Sequence, residues 1–255
     1  MEVITITNQK GGVGKTTTAM NLAAGLGLKG KSVLILDLDP QANLTSGLGI
    51  EKHNIKYDIF DLIIKHTPPK KAIIKTSSIG VDLIPSTIQL AGADIHLSML
   101  KNLDEKIFAR TIDSCKRKYD YLIMDCPPSL GLLNRNALAV ADKIIIPIQA
   151  EYYALDGLTQ LLSTISLVKK MFNPTLKIGG LLLTMYDSRT NLAKEVKNEI
   201  EKFFKEQVFK TIIPRNIKLA AAPSTGQSIF DYDNNSIGAK SYDALSKEVL
   251  TWGVK

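Results

Sequence analysis

The chain is 255 residues long, with 32 Lys+Arg against 25 Asp+Glu, a formal net charge of +7, 45% hydrophobic residues and 22% charged residues. That is enough chain for one large α/β domain with a substantial core, and its composition excludes a disordered, collagenous or coiled-coil chain. No apolar run approaches the ~18 residues of a membrane-spanning helix. The opening Met1-Glu2-Val3-Ile4-Thr5-Ile6-Thr7 starts acidic, and its apolar stretch is too short for a signal peptide. Cys115 and Cys126 are too few for a disulfide framework and wrongly spaced for a metal knuckle, and His53, His66 and His96 are scattered. A reducing cytoplasm is the expected compartment. The positive charge is uneven: residues 165–255 hold 14 Lys+Arg and 9 Asp+Glu, against 18 and 16 in residues 1–164. Such a surplus suits a polyanionic partner, but on charge by itself solubility alone is the simpler reading.

In chain order, strands are predicted at Val3–Thr7, Ser32–Asp37, Val81–Ile84, Tyr121–Asp125, Lys143–Ile148, Ile178–Thr184 and Val208–Ile213. Runs such as Val33-Leu34-Ile35-Leu36 and Ile144-Ile145-Ile146 are apolar at consecutive positions, as strands buried on both faces require. Helical patterns fall near 16–29, 57–65, 104–118, 134–141, 155–172, 190–206 and 239–252, and Leu192, Val196, Ile200 and Phe203 form the expected inner stripe of the sixth. Alternating β and α elements predict a single-domain α/β fold over residues 1–255, a doubly wound, mostly parallel sheet flanked by helices. Pro68-Pro69-Lys70-Lys71 reads as a surface loop rather than a domain boundary.

The first strand runs into Asn8-Gln9-Lys10-Gly11-Gly12-Val13-Gly14-Lys15-Thr16-Thr17-Thr18, which opens a helix. This is the setting of a phosphate-binding P-loop. The glycines let successive N–H groups turn inward at phosphate oxygens, and the helix adds its positive end. Lys15 is placed to neutralise β- and γ-phosphates, and the Thr16 hydroxyl to complete a Mg²⁺ shell. The usual first glycine is replaced by Gln9, and a second lysine, Lys10, lies inside the loop. Two ammonium groups at one site need a dense negative charge such as ATP. Lys10 then addresses either the same nucleotide or a second one across a dimer interface.

Two strand ends carry carboxylates: Asp37-Leu38-Asp39-Pro40-Gln41 and Asp125-Cys126-Pro127-Pro128-Ser129. Ligands of open α/β sheets sit at the carboxyl ends of strands, so all three aspartates are placed at the P-loop end. Asp125 fits a Mg²⁺-associated carboxylate. Asp39 is a candidate to orient the attacking water, with Asp37 behind it. Cys126 reads as a small core residue.

These three segments together resemble the deviant Walker A ATPases, and within them the ParA/Soj-type chromosome- and plasmid-partitioning ATPases. The resemblance extends through Ile84–Gly92, Glu151-Tyr152-Tyr153-Ala154-Leu155, Leu183–Leu192, Ile213-Pro214-Arg215-Asn216 and Ala222-Pro223-Ser224, nearly the whole chain. It implies an ATP- and Mg²⁺-dependent sandwich homodimer that binds double-stranded DNA without sequence preference. Release would follow hydrolysis stimulated by a ParB/Spo0J-type centromere-binding protein. It implies that the nucleotide is held by Lys10–Thr17, with Lys10 reaching the partner's nucleotide, that Asp39 is catalytic, and that Pro214 and Asn216 touch adenine. It further implies that Arg189 contacts DNA. Lys218 stands where relatives often carry a second DNA-contacting arginine, and Ala221 where they often carry an acid. The lysine keeps the charge and loses the guanidinium fork. The implied localisation is cytoplasmic and nucleoid-associated.

Residue by residue, a DNA surface reads as phosphate-led and salt-dependent, since no recognition helix, zinc motif or aromatic RNA-binding motif is evident. Arg189 lies at a helix start, where the dipole disfavours a cation and an outside partner is one explanation. The next helix carries the mixed face Lys194, Lys197, Glu201 and Lys205, and Arg215 and Lys218 are spaced to share one helical face. With the P-loop beginning at residue 10, no N-terminal helix-turn-helix domain and no operator-specific repression are expected. The main alternative is a MinD-like membrane-associated ATPase. That would want a basic amphipathic tail, whereas Leu245, Val249 and Trp252 look like a packing stripe, so no stable membrane association is expected. A metal-cluster-loading ATPase would need better-placed cysteines than Cys126, and a small-molecule kinase or synthetase an acceptor pocket that no motif announces.

Overall fold

A computed structural model describes residues 1–99, 107–151 and 154–252. The continuous apolar runs become strands β1 (Glu2–Ile6), β2 (Val33–Asp37), β3 (Ile74–Lys75), β4 (Val81–Ile84), β5 (Tyr121–Asp125), β6 (Lys143–Gln149) and β7 (Lys177–Thr184). They form one sheet in the order β3-β4-β2-β5-β1-β6-β7. Every neighbouring pair is parallel except β3–β4 at the edge. The helices among the described residues are α1 (Lys15–Gly27), α2 (Asn43–Gly47), α3 (Ile59–Ile64), α4 (Ala93–Met99), α5 (Ile107–Cys115), α6 (Leu132–Val140), α7 (Ala154–Met171), α8 (Asn191–Phe204), α9 (Ile217–Ala221), α10 (Ile229–Asp233) and α11 (Ile237–Leu250).

The strand period of two divides the core into two layers. Leu34 and Leu36 face a layer built with Ile59, Leu97, Phe108, Leu133, Leu158, Val196 and Ile200. Val33 and Ile35, with Ile4 and Ile6, face the other, built with Leu22, Leu26, Leu44, Leu219, Tyr242 and Leu245. The doubly wound sheet expected from the sequence is therefore present. Gly27, at the end of α1, sits against the turn before β4: a Cβ there would stand 1.9 Å from the Ile79 carbonyl oxygen. That contact leaves no room for a side chain at this point of α1.

Several sequence expectations need correction. Val208–Ile213 is not a strand. It touches β7 through the Leu181–Val208 bridge and through N–H bonds from Phe209 to the Leu181 carbonyl and from Ile213 to the Leu183 carbonyl. The intervening Lys210 and Thr211 N–H groups both donate at 2.9 Å to the Glu248 carboxylate, which removes them from any ladder. The buried stripe of α8 is Ala193, Val196 and Ile200. Leu192 and Phe203 lie in the terminal turns and are 44% and 66% exposed. Of the helix expected over 104–118, residues 104–106 lie outside the described residues, and α5 ends at Cys115. The two-residue β3 and the short α2, α4, α9 and α10 had no periodicity long enough to read.

Candidate nucleotide site

The segment after β1 is shaped by its own polar groups and two glycines. The Asn8 amide donates to the Pro147 carbonyl at 2.7 Å, and its carbonyl oxygen accepts the Lys10 N–H at 3.1 Å. Gly12 and Gly14 adopt φ of 75° and 87°, left-handed values that an L side chain rarely tolerates. Gly14 is also the N-cap of α1 and supplies no capping side chain, so the first N–H groups of the helix are left for an anion. The Thr184 hydroxyl at the end of β7 donates to the Val13 carbonyl at 2.8 Å and ties Gly11-Gly12-Val13-Gly14 to the sheet.

Lys15 is only 7% exposed, and its ammonium donates to the Lys10 carbonyl at 2.9 Å. Burial pushes its pKa down, against the pull of Asp125, Cys126 and Asp39. Thr16 and Thr17 follow in the first turn of α1. The Lys10 ammonium meets the Glu151 carboxylate at 2.5 Å.

Parallel register sets Asp125 opposite both Ile6 and Asp37, so two carboxylates end adjacent strands side by side. Asp125 is buried, and among the described residues no donor meets either carboxylate oxygen in good hydrogen-bonding geometry, although the Thr16 hydroxyl stands near enough to favour its charged form. Burial drives its pKa well above the ordinary carboxylate value and Asp37 drives it further, while Thr16 and Lys15 pull the other way. A buried carboxylate of this kind suits a nearby cation, which would favour its charged form. Among the described residues no three His, Cys, Asp or Glu side chains gather to hold a metal by themselves. The donor set of one carboxylate and one hydroxyl fits a hard ion whose remaining ligands are phosphate oxygens and water.

Asp37 is buried, and burial lifts its pKa to about 6 despite hydrogen bonds from Thr45 and from the Asp39 N–H. Asp39 is half-buried in the turn that follows β2, and its Oδ1 accepts the Gln41 N–H at 2.9 Å. Cys126 is 1% exposed and burial raises its thiol, in keeping with a core role.

Beside the P-loop lies a pocket of about 350 Å³, lined by Gly14, Thr17, Met185, Pro214, Asn216 and Tyr242 among others. The Tyr186–Pro214 bridge brings Pro214 to the end of β7. Asn216 caps α9, its Oδ1 accepting the Lys218 N–H at 2.8 Å. Thus Lys15, Thr16, Asp37, Asp39, Asp125, Pro214 and Asn216 all gather at the carboxyl end of the sheet.

Arg189 and Lys218 lie outside this group. The Arg189 guanidinium is 86% exposed and grips Asp187 with two bonds, Nε to Oδ1 at 2.9 Å and Nη2 to Oδ2 at 2.6 Å. Arg189, with help from Arg215, holds the Asp187 carboxyl well below the usual range. Asp187 thus offsets the dipole penalty that the sequence alone left unexplained. Lys218 pairs with Asp233. Arg215 precedes the Asn216 cap and is not on α9, so it shares no helical face with Lys218. The partners Glu151, Asp187 and Asp233 were missed by sequence reasoning, and only Asp187, two residues before Arg189, left a local signal.

At the chain's end Leu245 and Val249 are buried. Trp252 stacks on Phe209 with ring centres 5.5 Å apart and carries the Lys143 ammonium 4.5 Å over its ring. The packing stripe is real. Among the described residues no helix is long and apolar enough to cross a membrane. Tyr152 and Tyr153 of the 151–155 motif lie outside the described residues.

A family model described as an AAA domain matches residues 1–178. The chain is also 50% identical over 252 residues to the sporulation initiation inhibitor protein Soj of Bacillus subtilis, covering 99% of each chain. The chain belongs to the ParA/Soj family of ATPases. A second ParA/Soj relative, the chromosome partitioning protein ParA of Myxococcus xanthus, is 48% identical over 251 residues, covering 97% of this chain and 87% of its own. Among solved structures, cobyrinic acid a,c-diamide synthase from Mycobacterium smegmatis with bound ADP and magnesium superposes with a TM-score of 0.86 at 35% identity, covering 98% of this chain and 94% of that one. The sheet and its P-loop are therefore those of the ParA/MinD group.

Proposed function

We propose that residues 1–255 act as one ATP- and Mg²⁺-dependent DNA-segregation ATPase. The observation that carries the reading is the buried Asp125 carboxylate, drawn toward its charged form by Thr16 and Lys15 of a phosphate loop with two lysines, in a chain half identical to Soj. A synthase reading, which the M. smegmatis likeness could suggest, has the lower identity behind it.

The N–H groups of Gly11 to Thr17 wrap the phosphates, and Lys15 neutralises the β- and γ-oxygens. Thr16 and Asp125 would hold Mg²⁺, which when bound would neutralise charge developing on the transferred phosphoryl group. Pro214 and Asn216 wall the adenine pocket. Two protomers close face to face, and Lys10 leaves Glu151 for the partner's nucleotide. Asp39 orients the attacking water. Turnover is slow until a ParB/Spo0J-type partner completes the site.

Arg189 and Lys218 contact DNA phosphates, exchanging Asp187 and Asp233 for them. Such contacts are weak per protomer, so two protomers gain by avidity. The protein is then cytoplasmic and nucleoid-associated. Burial of Leu245 and Val249 supports the DNA reading over a MinD-like membrane anchor. The test is binding to a random-sequence duplex with ATP, ADP or no nucleotide across a salt series. ATP-dependent binding that falls steeply with salt is expected. No binding at low salt, with ATP bound, would remove the DNA reading.

A further inference from the structure

The turn that carries Asp39 is fastened at both ends to one buried carboxylate. Oδ1 of Asp37 accepts the Asp39 N–H at 3.1 Å. Oδ2 accepts the N–H of Thr45 at 2.9 Å and its hydroxyl at 2.6 Å. The Thr45 hydroxyl oxygen in turn accepts the Ser86 N–H at 3.1 Å, from the chain leaving β4. Asp37, Thr45 and Ser86 are each 0% exposed. Between the two fastenings Ala42 adopts φ 54°, a left-handed conformation that a residue with a Cβ keeps only when its surroundings impose it. Five-residue α2, which contains Thr45, is far too short to hold itself as a helix in water. Its place comes from Leu44 in the core and from these bonds.

We propose that Thr45 is a positioning residue for ATP hydrolysis: its hydroxyl, held between Asp37 and the Ser86 N–H, fixes the 38–44 turn so that Asp39 stands where the attacking water must be oriented. The inference rests on the assignment of Asp39 made above. A hydroxyl suits the role because it donates one proton and still accepts another. Valine keeps the shape and does neither, leaving a buried Ser86 N–H unpaired and Asp37 short of a donor. Serine does both. Thr45 touches no nucleotide atom in this scheme, so its loss should act on the chemical step rather than on binding. Displacement of a catalytic group by ~1 Å is enough for ~10²-fold.

The experiment compares T45V, T45S and D39A in the full chain by steady-state and single-turnover ATP hydrolysis, affinity for a fluorescent ATP analogue, and thermal melting. T45V is expected to lower kcat about tenfold or more with KM and analogue affinity within about twofold, and T45S to recover to within about threefold of wild type. T45C, with a similar size and a far weaker hydrogen-bonding group, is read in the same way should T45V not fold. Wild-type turnover in T45V overturns the proposal. So does equal loss of turnover and nucleotide affinity, which marks a merely structural residue, or failure of T45S to rescue. D39A keeps the two readings apart. If D39A abolishes hydrolysis while T45V is normal, only the role of Thr45 fails. If D39A hydrolyses at the wild-type rate, the Asp39 assignment fails first.

Discussion

The Lys10 ammonium, whose backbone belongs to the phosphate loop, is held 2.5 Å from the Glu151 carboxylate beyond the end of β6. Both side chains are partly exposed, 39% for Lys10 and 46% for Glu151, so the pair contributes at most about 1 kcal/mol. That is weak enough to be exchanged for a triphosphate. E151Q should therefore favour the ATP-bound dimer by up to about fivefold per protomer, with nucleotide affinity of the monomer unchanged. Sedimentation across an ATP titration measures it, and a weakened dimer would show that Glu151 acts in closure rather than against it.

Asp39 and Lys15 separate chemistry from binding. D39A should keep ATP-dependent dimerisation and DNA retention while hydrolysis falls by about 10² or more. K15A should lose nucleotide binding, because a buried ammonium in the loop has no substitute there. Isothermal titration with ATP, run beside phosphate release, distinguishes the two. Loss of DNA retention in D39A would reject the role given to that carboxylate.

Arg189 should matter only to DNA. R189A removes a charge that, among the described residues, is hydrogen-bonded to Asp187. It should weaken duplex binding and lower the slope of log affinity against log salt by about 1 per protomer, with ATP-driven dimerisation intact. Collapse of the dimer would make Arg189 a structural residue.

Gly27 has no freedom to grow. A methyl group there would lie 1.9 Å from the Ile79 carbonyl oxygen, a backbone atom that can yield only by moving the turn before β4. G27A should cost about 1–3 kcal/mol of stability despite the better helix propensity of alanine. Urea unfolding followed by circular dichroism reads the cost, and an unchanged midpoint would mean that the turn is free to shift.

The local sequence determined the sheet and the phosphate loop. Consecutive apolar residues in β2, β5 and β6 left no choice but burial on both faces, and a glycine-rich turn between strand and helix admits little besides an anion. The aspartates at two strand ends followed from the rule that ligands meet a parallel sheet at its carboxyl edge. Tertiary structure decided what each charge sees. The register that sets Asp37 against Asp125, and the burial that lifts both, arise between strands 88 residues apart. Glu151, Asp233 and Ser86 reach Lys10, Lys218 and Thr45 only through the fold. Val208–Ile213 looked like a strand because its residues favour one, and it is not, because Glu248 from a distant helix takes the N–H groups a ladder would need. Periodicity is a property of neighbours along the chain, whereas solvation and hydrogen-bond competition are settled by whichever groups the packed chain brings within reach.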